Sequence, residues 1–367
     1  MTWAEVDLAA IRQNALAIKS YLNNSNLIAV IKANAYGHGL VPVARTLSSI
    51  ANWLAVATID EAIELRHNQI DTPIMILYSG LSMDIPAIIE HNLQPTVSNP
   101  QFCQSLFQLA SKEKQTISVH VNIDTGMNRD GVWYQQATSF IGWLWSLPQI
   151  RVASVFTHFA TAEVKDSAQL ASQLDRFKIV LTELRQQNIL PPLVHAANTA
   201  ALLSHPSIAE VDFNAVRVGL ALYGISPPPI QKVPFSLLPA LTWKAPIISV
   251  RNIKAGESVG YGNDYIAVVD QKLATVRIGY GDGYPRQLSN NGQIMIGNKL
   301  CPIVGQVCMD VTVCLLDSHN PVLVGDTAIL IGQGSTVDLS VHQLADQAGT
   351  ISYEILSQIN KRVSRRF

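Results

Sequence analysis

Eight short apolar runs, separated by stretches of helical period, fill the first two-thirds of this 367-residue chain and constrain its fold more than any other feature. The runs are "NLIAVIK" (26–32), "WLAVAT" (53–58), "PIMILY" (73–78), "LQPTVS" (93–98), "ISVHVNID" (117–124), "ASVFTHF" (153–159), "PLVHAAN" (192–198) and "AVRVGLALYG" (215–224). Continuous apolarity, rather than alternation, marks parallel strands covered on both faces. Between the runs, "AQLASQLDRFKIVLTELRQQN" sets Leu170, Leu174, Phe177, Val180, Leu181 and Leu184 at three- and four-residue spacings, one face of a helix. Eight such repeats fit a (β/α)8 TIM-like barrel. A doubly wound open sheet competes, but it wants a GxGxxG turn after its first strand, and none follows "NLIAVIK".

Near "SPPPIQKVPFSLLPALTW" (226–243) prolines interrupt regular structure. Beyond it "APIISV", "YIAVV", "LATVRIG", "QIMIG", "PIVGQVCMDVTVCLL" and "TAILIG" alternate with turn signals, the pattern of an all-β module. The reading is an α/β chain, with the barrel over 1–238 and a C-terminal all-β domain over 239–367. Its last segment reads as helical and basic, with solvated terminal charges.

A formal net charge of −1 gives no electrostatic reason to bind nucleic acid or an anionic membrane surface. No run of roughly 18 apolar residues offers a membrane span. The N-terminus lacks a signal-peptide core, so the expected location is cytoplasmic. Cys103, Cys301, Cys308 and Cys314 have neither CxxC spacing nor histidine-rich surroundings, so free thiols are expected and a metal is not.

Barrels of this kind keep their chemistry at the C-terminal ends of the strands. Those ends carry Lys32 and Tyr36; Asn122, Asp124 and Arg129; His158; Asn198 and Thr199; and Arg217 with Gly219. Taken singly, each has a plain structural role. A lysine at a strand end snorkels to water, "NAYGHG" is a glycine turn, His158 is a hydrogen-bonded core ring, and Arg217 pairs with an acid inside the barrel. "VGYGNDY" and "RIGYGDGYPR" read singly as hairpin turns with packed tyrosines, and Tyr134 and the tryptophans of "IGWLWSLP" as core or interface. Taken together, the groups bring cations and donors to one mouth. A phosphate site fits between strands seven and eight, where "AANTA" supplies a hydroxyl and "RVG" backbone N–H groups. A lysine facing a phosphate-bearing ligand, with no nucleotide loop, points to pyridoxal phosphate held as a Schiff base.

The blocks "VIKANAYGHG", "DTGMNR", "FTHFATA", "AANTAALL", "VRVGLALYG", "VGYG", "IGYGDGYPR" and "PIVGQVCMD" resemble alanine racemase, in order and across nearly the whole chain. The resemblance implies a pyridoxal 5'-phosphate enzyme that interconverts L- and D-alanine, supplying D-alanine for peptidoglycan. It also implies a homodimer whose active sites are shared between subunits. Carried over, it makes Lys32 the Schiff-base lysine and one catalytic base, and Tyr261, from the partner subunit, the other. His158 is then the residue bonded to both Tyr261 and Arg217, and Arg217 faces the pyridine nitrogen. Tyr36, Asn198, Thr199, Gly219, Leu220 and Tyr353 hold the cofactor. Arg129 contacts its phenolic oxygen, Tyr280 and Tyr284 lie on the access loop, and Met309 and Asp310 form the substrate carboxylate wall.

Two departures stand out. Asn122 occupies the place where many members have a carbamylated lysine, and a neutral amide cannot balance Arg129, so a bound chloride beside Asn122 and Arg129 is expected. Gly260 replaces a common serine. The alternatives are a serine or lysine racemase with a roomier wall, a non-catalytic cofactor carrier built on the barrel alone, and a decarboxylase. The carrier needs no second domain and no Tyr261. The decarboxylase wants a cysteine in its own motif, whereas Cys308 sits in "VCMD".

Overall fold

The eight apolar runs pair into a closed ring of parallel strands in the computed structural model, which describes residues 1–205, 213–230, 233–317, 321–334 and 336–367. The barrel strands are β1 (Asn26–Val30), β2 (Trp53–Val56), β3 (Ile74–Ser79), β4 (Gln94–Val97), β5 (Ile117–Asp124), β6 (Ile150–Phe156), β7 (Leu193–His195) and β8 (Ala215–Val218). Each pairs with its sequence neighbours, and β8 returns to β1, so the sheet has no open edge. Strand β6 starts three residues before its apolar run because Arg151 interrupts the run while pointing to solvent. Gln231 and Lys232 of the proline-rich stretch lie outside the described residues.

Register fixes which side chains meet inside the barrel. His120 pairs with Thr96 on one side and Ser154 on the other, Phe156 pairs with His195, and Arg217 with Ile28. Outside, the helix Ala168–Gln186 starts at Ser167, whose hydroxyl accepts from Leu170 N at 3.2 Å. It buries Leu170, Phe177, Val180, Leu181 and Leu184 as its period predicts, but adds Gln173 in place of Leu174.

By its contacts the chain divides into a unit of 9–35 and 40–238, holding the barrel, and a unit of 1–8, 36–39 and 239–367. The second is built on a long strand, Leu241–Ile253, paired antiparallel with Trp3–Val6, Gln271–Val276 and Thr327–Gln333. Two expectations fail here. "YIAVV" is not a strand; it makes one bridge, Ser258 to Ile266, and Val268 and Val269 are exposed. The chain end is not simply helical and solvated either. Helices Val341–Ala348 and Ser352–Gln358 are followed by a strand, Ser364–Arg366, parallel to Trp3–Val6.

The reason is Arg365. Its guanidinium donates to the carbonyls of Gly37, Asn360, Val363 and Ile359 at 2.6–2.8 Å. Next to it, Arg366 stacks over Trp3, 4.3 Å from the ring centroid. Replacing Arg365 by alanine strands several part-buried carbonyls, so stability is expected to fall by about 3 kcal/mol. Urea unfolding checks this: the midpoint falls while the slope stays constant.

Candidate active site

Beyond β1 the backbone does something L-residues avoid. Ala33, Asn34, Ala35 and Tyr36 have φ between 51° and 54°, a left-handed turn costing about 1–2 kcal/mol per residue. Asn34 braces it, its N–H reaching Glu61 Oε1 at 3.3 Å and its Oδ1 accepting from Leu40 N at 2.8 Å. The turn follows Lys32, whose ammonium lies 5.4 Å from the centroid of the Tyr78 ring. The Arg129 guanidinium lies 5.5 Å from the same centroid. Tyr78, at the end of β3, was missed in the sequence, although an aromatic closing "PIMILY" marks another strand end at the mouth.

Arg129 sits on a tied-down loop. Asp124 Oδ1 accepts from the N–H groups of Gly126, Met127 and Asn128 at 2.9–3.1 Å. Asp130 accepts from the hydroxyls of Ser79 and Ser98, both at 3.2 Å. Asn122, buried, donates its amide to Asp130 O at 2.8 Å. Both aspartates are thus engaged in holding the loop.

Arg217 is the most constrained group. It is buried inside the barrel, donating through Nη2 to Thr157 O at 2.8 Å, Ala196 O at 3.0 Å and His158 Nδ1 at 3.1 Å. Its Nη1 donates to His195 Nδ1 at 2.6 Å. Burial, reinforced by the Arg129 charge, lowers its pKa to about 9, so it stays charged at neutral pH. No acid pairs with it among the described residues; its acceptors are carbonyls and imidazoles.

His158 is held neutral. Burial first, then the charges of Arg217, Arg129 and Lys32, push its pKa down to about 3. A neutral ring accepting at Nδ1 carries its proton on Nε2. Gln173, absent from every sequence expectation, sets this strand end. Its amide donates to His158 O at 2.9 Å, and its oxygen accepts from Ala160 N at 2.9 Å. A polar residue inside an apolar helix stripe was the available signal.

Near the end of β8, Gly219 N–H is not free as expected: it donates to Thr199 Oγ at 3.1 Å. Asn198 caps the short helix Thr199–Ser204, accepting from Ala201 N at 2.9 Å, and Leu220 is buried.

In the other unit Tyr261 is 75% exposed, Met309 53% and Tyr280 44%. Tyr280 N–H donates to Cys308 O at 3.0 Å and Gly281 N–H to Met309 O at 2.9 Å, which ties the two loops together. Tyr284 is fully buried edge-on against Trp243, with centroids 5.8 Å apart, and with Tyr280 it borders a surface pocket. Asp310 pairs with Arg362 at 2.6 Å. The Tyr36 and Tyr353 rings lie 5.9 Å apart. Among the described residues no group of three or more His, Cys, Asp or Glu is placed to hold a metal ion, and no helix is long and apolar enough to cross a membrane.

The alanine racemase N-terminal domain family matches residues 6–227 and the alanine racemase C-terminal domain family residues 240–367. An alanine racemase of Symbiobacterium thermophilum is 38% identical over 365 residues, covering 99% of this chain and 96% of that protein. The crystal structure of alanine racemase from Bacillus anthracis with bound L-Ala-P superposes with a TM-score of 0.92 at 36% identity, over 99% of this chain and 94% of that one. Alanine racemase from Bartonella henselae with covalently bound pyridoxal phosphate superposes with a TM-score of 0.89 at 27% identity, over 100% and 99% of the two chains.

His120 and His158, with pKa values near 3, and His195, lowered well below its ordinary value, are neutral in the folded protein. Unfolded, each takes a proton near pH 6.5. Their folded pKa values are depressed, so the stability they confer is full above about pH 6.5 and is lost as pH falls toward 3. With three protons taken up on unfolding, the loss reaches at most about 4 kcal/mol per pH unit. Urea midpoints measured from pH 7 to 5 should fall steeply; a flat profile would mean these rings are already charged when folded.

Proposed function

The chain belongs to the alanine racemase family, an isomerase family, and we propose that its barrel mouth binds pyridoxal 5'-phosphate and interconverts L- and D-alanine by proton transfer from and to Cα. One observation carries this reading. Lys32, Arg129 and Arg217 all bear on His158, while the nearby aspartates are engaged elsewhere. Such a cationic mouth is complementary to a phosphate-bearing anion, and it includes an amine, Lys32, able to form a Schiff base with an aldehyde. Bound there, pyridoxal phosphate supplies an electron sink for the pair left at Cα.

Lys32 is the residue that holds the cofactor and, once released, takes or gives the Cα proton on one face. The partner subunit's Tyr261 serves the other face; Tyr261's exposure leaves its phenol available to a second copy. A phenol with ordinary pKa near 10 is a poor base at neutral pH. His158, neutral and carrying its proton on Nε2, favours the phenolate by donating a hydrogen bond rather than by charge, while Arg217 and Arg129 supply the field. Arg217, which can only donate, would leave a ring nitrogen that it faced unprotonated and so would weaken the electron sink. By family resemblance Thr199, the backbone around Gly219 and Leu220, Tyr36 and Tyr353 hold the phosphate, Asn198 is a further cofactor contact, and Arg129 meets the phenolic oxygen. The partner's Met309, Asp310 and Tyr280 wall the substrate. We further propose a chloride beside Asn122 and Arg129, a homodimer in the cytoplasm, and a role in D-alanine supply for peptidoglycan. A crystal grown in chloride resolves the ion; water alone in that position overturns that part.

Incubation with L-alanine, L-serine or L-lysine in deuterated water tests reaction and substrate together. Racemisation with Cα deuterium is expected for alanine and far less for the others. Exchange with none of them overturns the reading, and faster exchange with serine or lysine moves the chain to a broader specificity. Arg217→Glu, which offers the ring nitrogen an acceptor, is expected to slow racemisation and raise the ratio of pyruvate formed to alanine racemised. An unchanged ratio would remove Arg217 from the ring.

A further inference from the structure

The interior of a barrel like this one is ordinarily filled by branched aliphatic side chains. Here a polar file crosses it. Trp53 and Gln94 open β2 and β4 at the barrel floor, and Trp53 Nε1 donates to Gln94 Oε1 at 3.0 Å. The same oxygen lies 3.0 Å from His120 Nε2, whose Nδ1 is 2.6 Å from Ser154 Oγ. Ser154 Oγ is 3.1 Å from His195 Nε2, and His195 Nδ1 takes the 2.6 Å bond from Arg217. His120, Ser154 and His195 are completely buried. His195 also stacks on Phe156, with centroids 4.9 Å apart and planes inclined by 5°.

The chemistry of the two ends fixes every proton between them. An indole N–H only donates, so the atom facing Trp53 is the amide oxygen of Gln94, and His120 Nε2 must donate to it. A neutral His120 then accepts at Nδ1 from the Ser154 hydroxyl. Ser154's oxygen accepts from His195 Nε2–H, which leaves His195 Nδ1 as the acceptor for Arg217. A guanidinium only donates, so the sequence of donors closes without conflict. Reversing any one member sets two donors or two lone pairs against each other. Burial keeps both rings neutral, with Arg151 acting further on His120 and Arg217 on His195.

We propose that Ser154, His120 and Gln94 are positioning residues for the racemisation, locking His195 in the tautomer that accepts from Arg217 and so fixing the guanidinium in the barrel mouth. None of the three is at a strand end of the mouth; they act through His195. The proposal rests on Arg217 facing the cofactor ring, as proposed above, and its first test does not.

Holoenzyme labelled with 15N in the histidine rings, its signals assigned with single His→Gln variants, reports tautomers directly. Both His120 and His195 are expected as neutral Nε2–H rings; a charged ring or an Nδ1–H ring at either position overturns the proposal. Ser154→Ala removes the relay and is expected to give His195 a mixture of tautomers. It should also lower kcat about tenfold with KM for alanine within about twofold, and Ser154→Thr, which keeps the hydroxyl, should restore both readouts. If Ser154→Ala does not fold, Trp53→Phe at the far end serves, with the same two changes expected at smaller size. Altered tautomers with unchanged kcat refute the positioning role. Wild-type protein with the expected tautomers but no exchange with any amino acid fails the functional reading instead, leaving the relay as drawn.

Discussion

A guanidinium inside a barrel without a carboxylate to meet it has to be satisfied by the barrel itself. Arg217 meets that constraint with backbone carbonyls and two imidazoles drawn from the ends of the two neighbouring strands β6 and β7. Removing a charge from water costs several kcal/mol unless its donors are matched, so Thr157, Ala196, His158 and His195 cannot move independently of it. Their positions in turn rest on the register of β6, β7 and β8. The field of the same cation, with that of Arg129 and Lys32, decides that His158 stays uncharged, and hence what His158 can do for a neighbouring phenol.

The barrel was legible because parallel strands buried on both faces leave continuous apolar runs, and all eight runs overlap a strand. The second unit was harder to read. In "YIAVV" Ala267 and Tyr265 pack into a small cluster while Ile266, Val268 and Val269 are exposed, so composition alone misleads. The Ser364–Arg366 strand is short and charged, and its pairing with Trp3–Val6 joins the two ends of the chain, a contact no local pattern encodes. At the site, residues at strand ends could be found because the fold type says where to look. Tyr78 and Gln173 escaped because their roles depend on which neighbours face them: a ring beneath two cations, and an amide turned toward a strand end.

The buried histidines illustrate a different limit. His120 and His195 each sit in an apolar run and read as core, which they are. Only the register, placing His120 beside Ser154 and His195 beside Phe156, shows that their ring nitrogens form one connected file. Polar cores of this sort are costlier than aliphatic ones when half-satisfied and specific when complete. Here the members given by register are complete in one arrangement of protons.

The left-handed turn after Lys32 bears on what sets that lysine apart. Four consecutive residues in an unfavourable conformation, Ala33 to Tyr36, cannot nucleate structure, because each is uphill until its surroundings exist. The turn is held by partners outside it, Glu61 on the helix Ile59–His67 and the backbone at Leu40. The amine at Lys32 therefore owes its setting to the assembled fold, with Tyr78 brought beside it from another strand end. A partly folded chain would display an ordinary lysine, with nothing around it to single it out from the others on the surface.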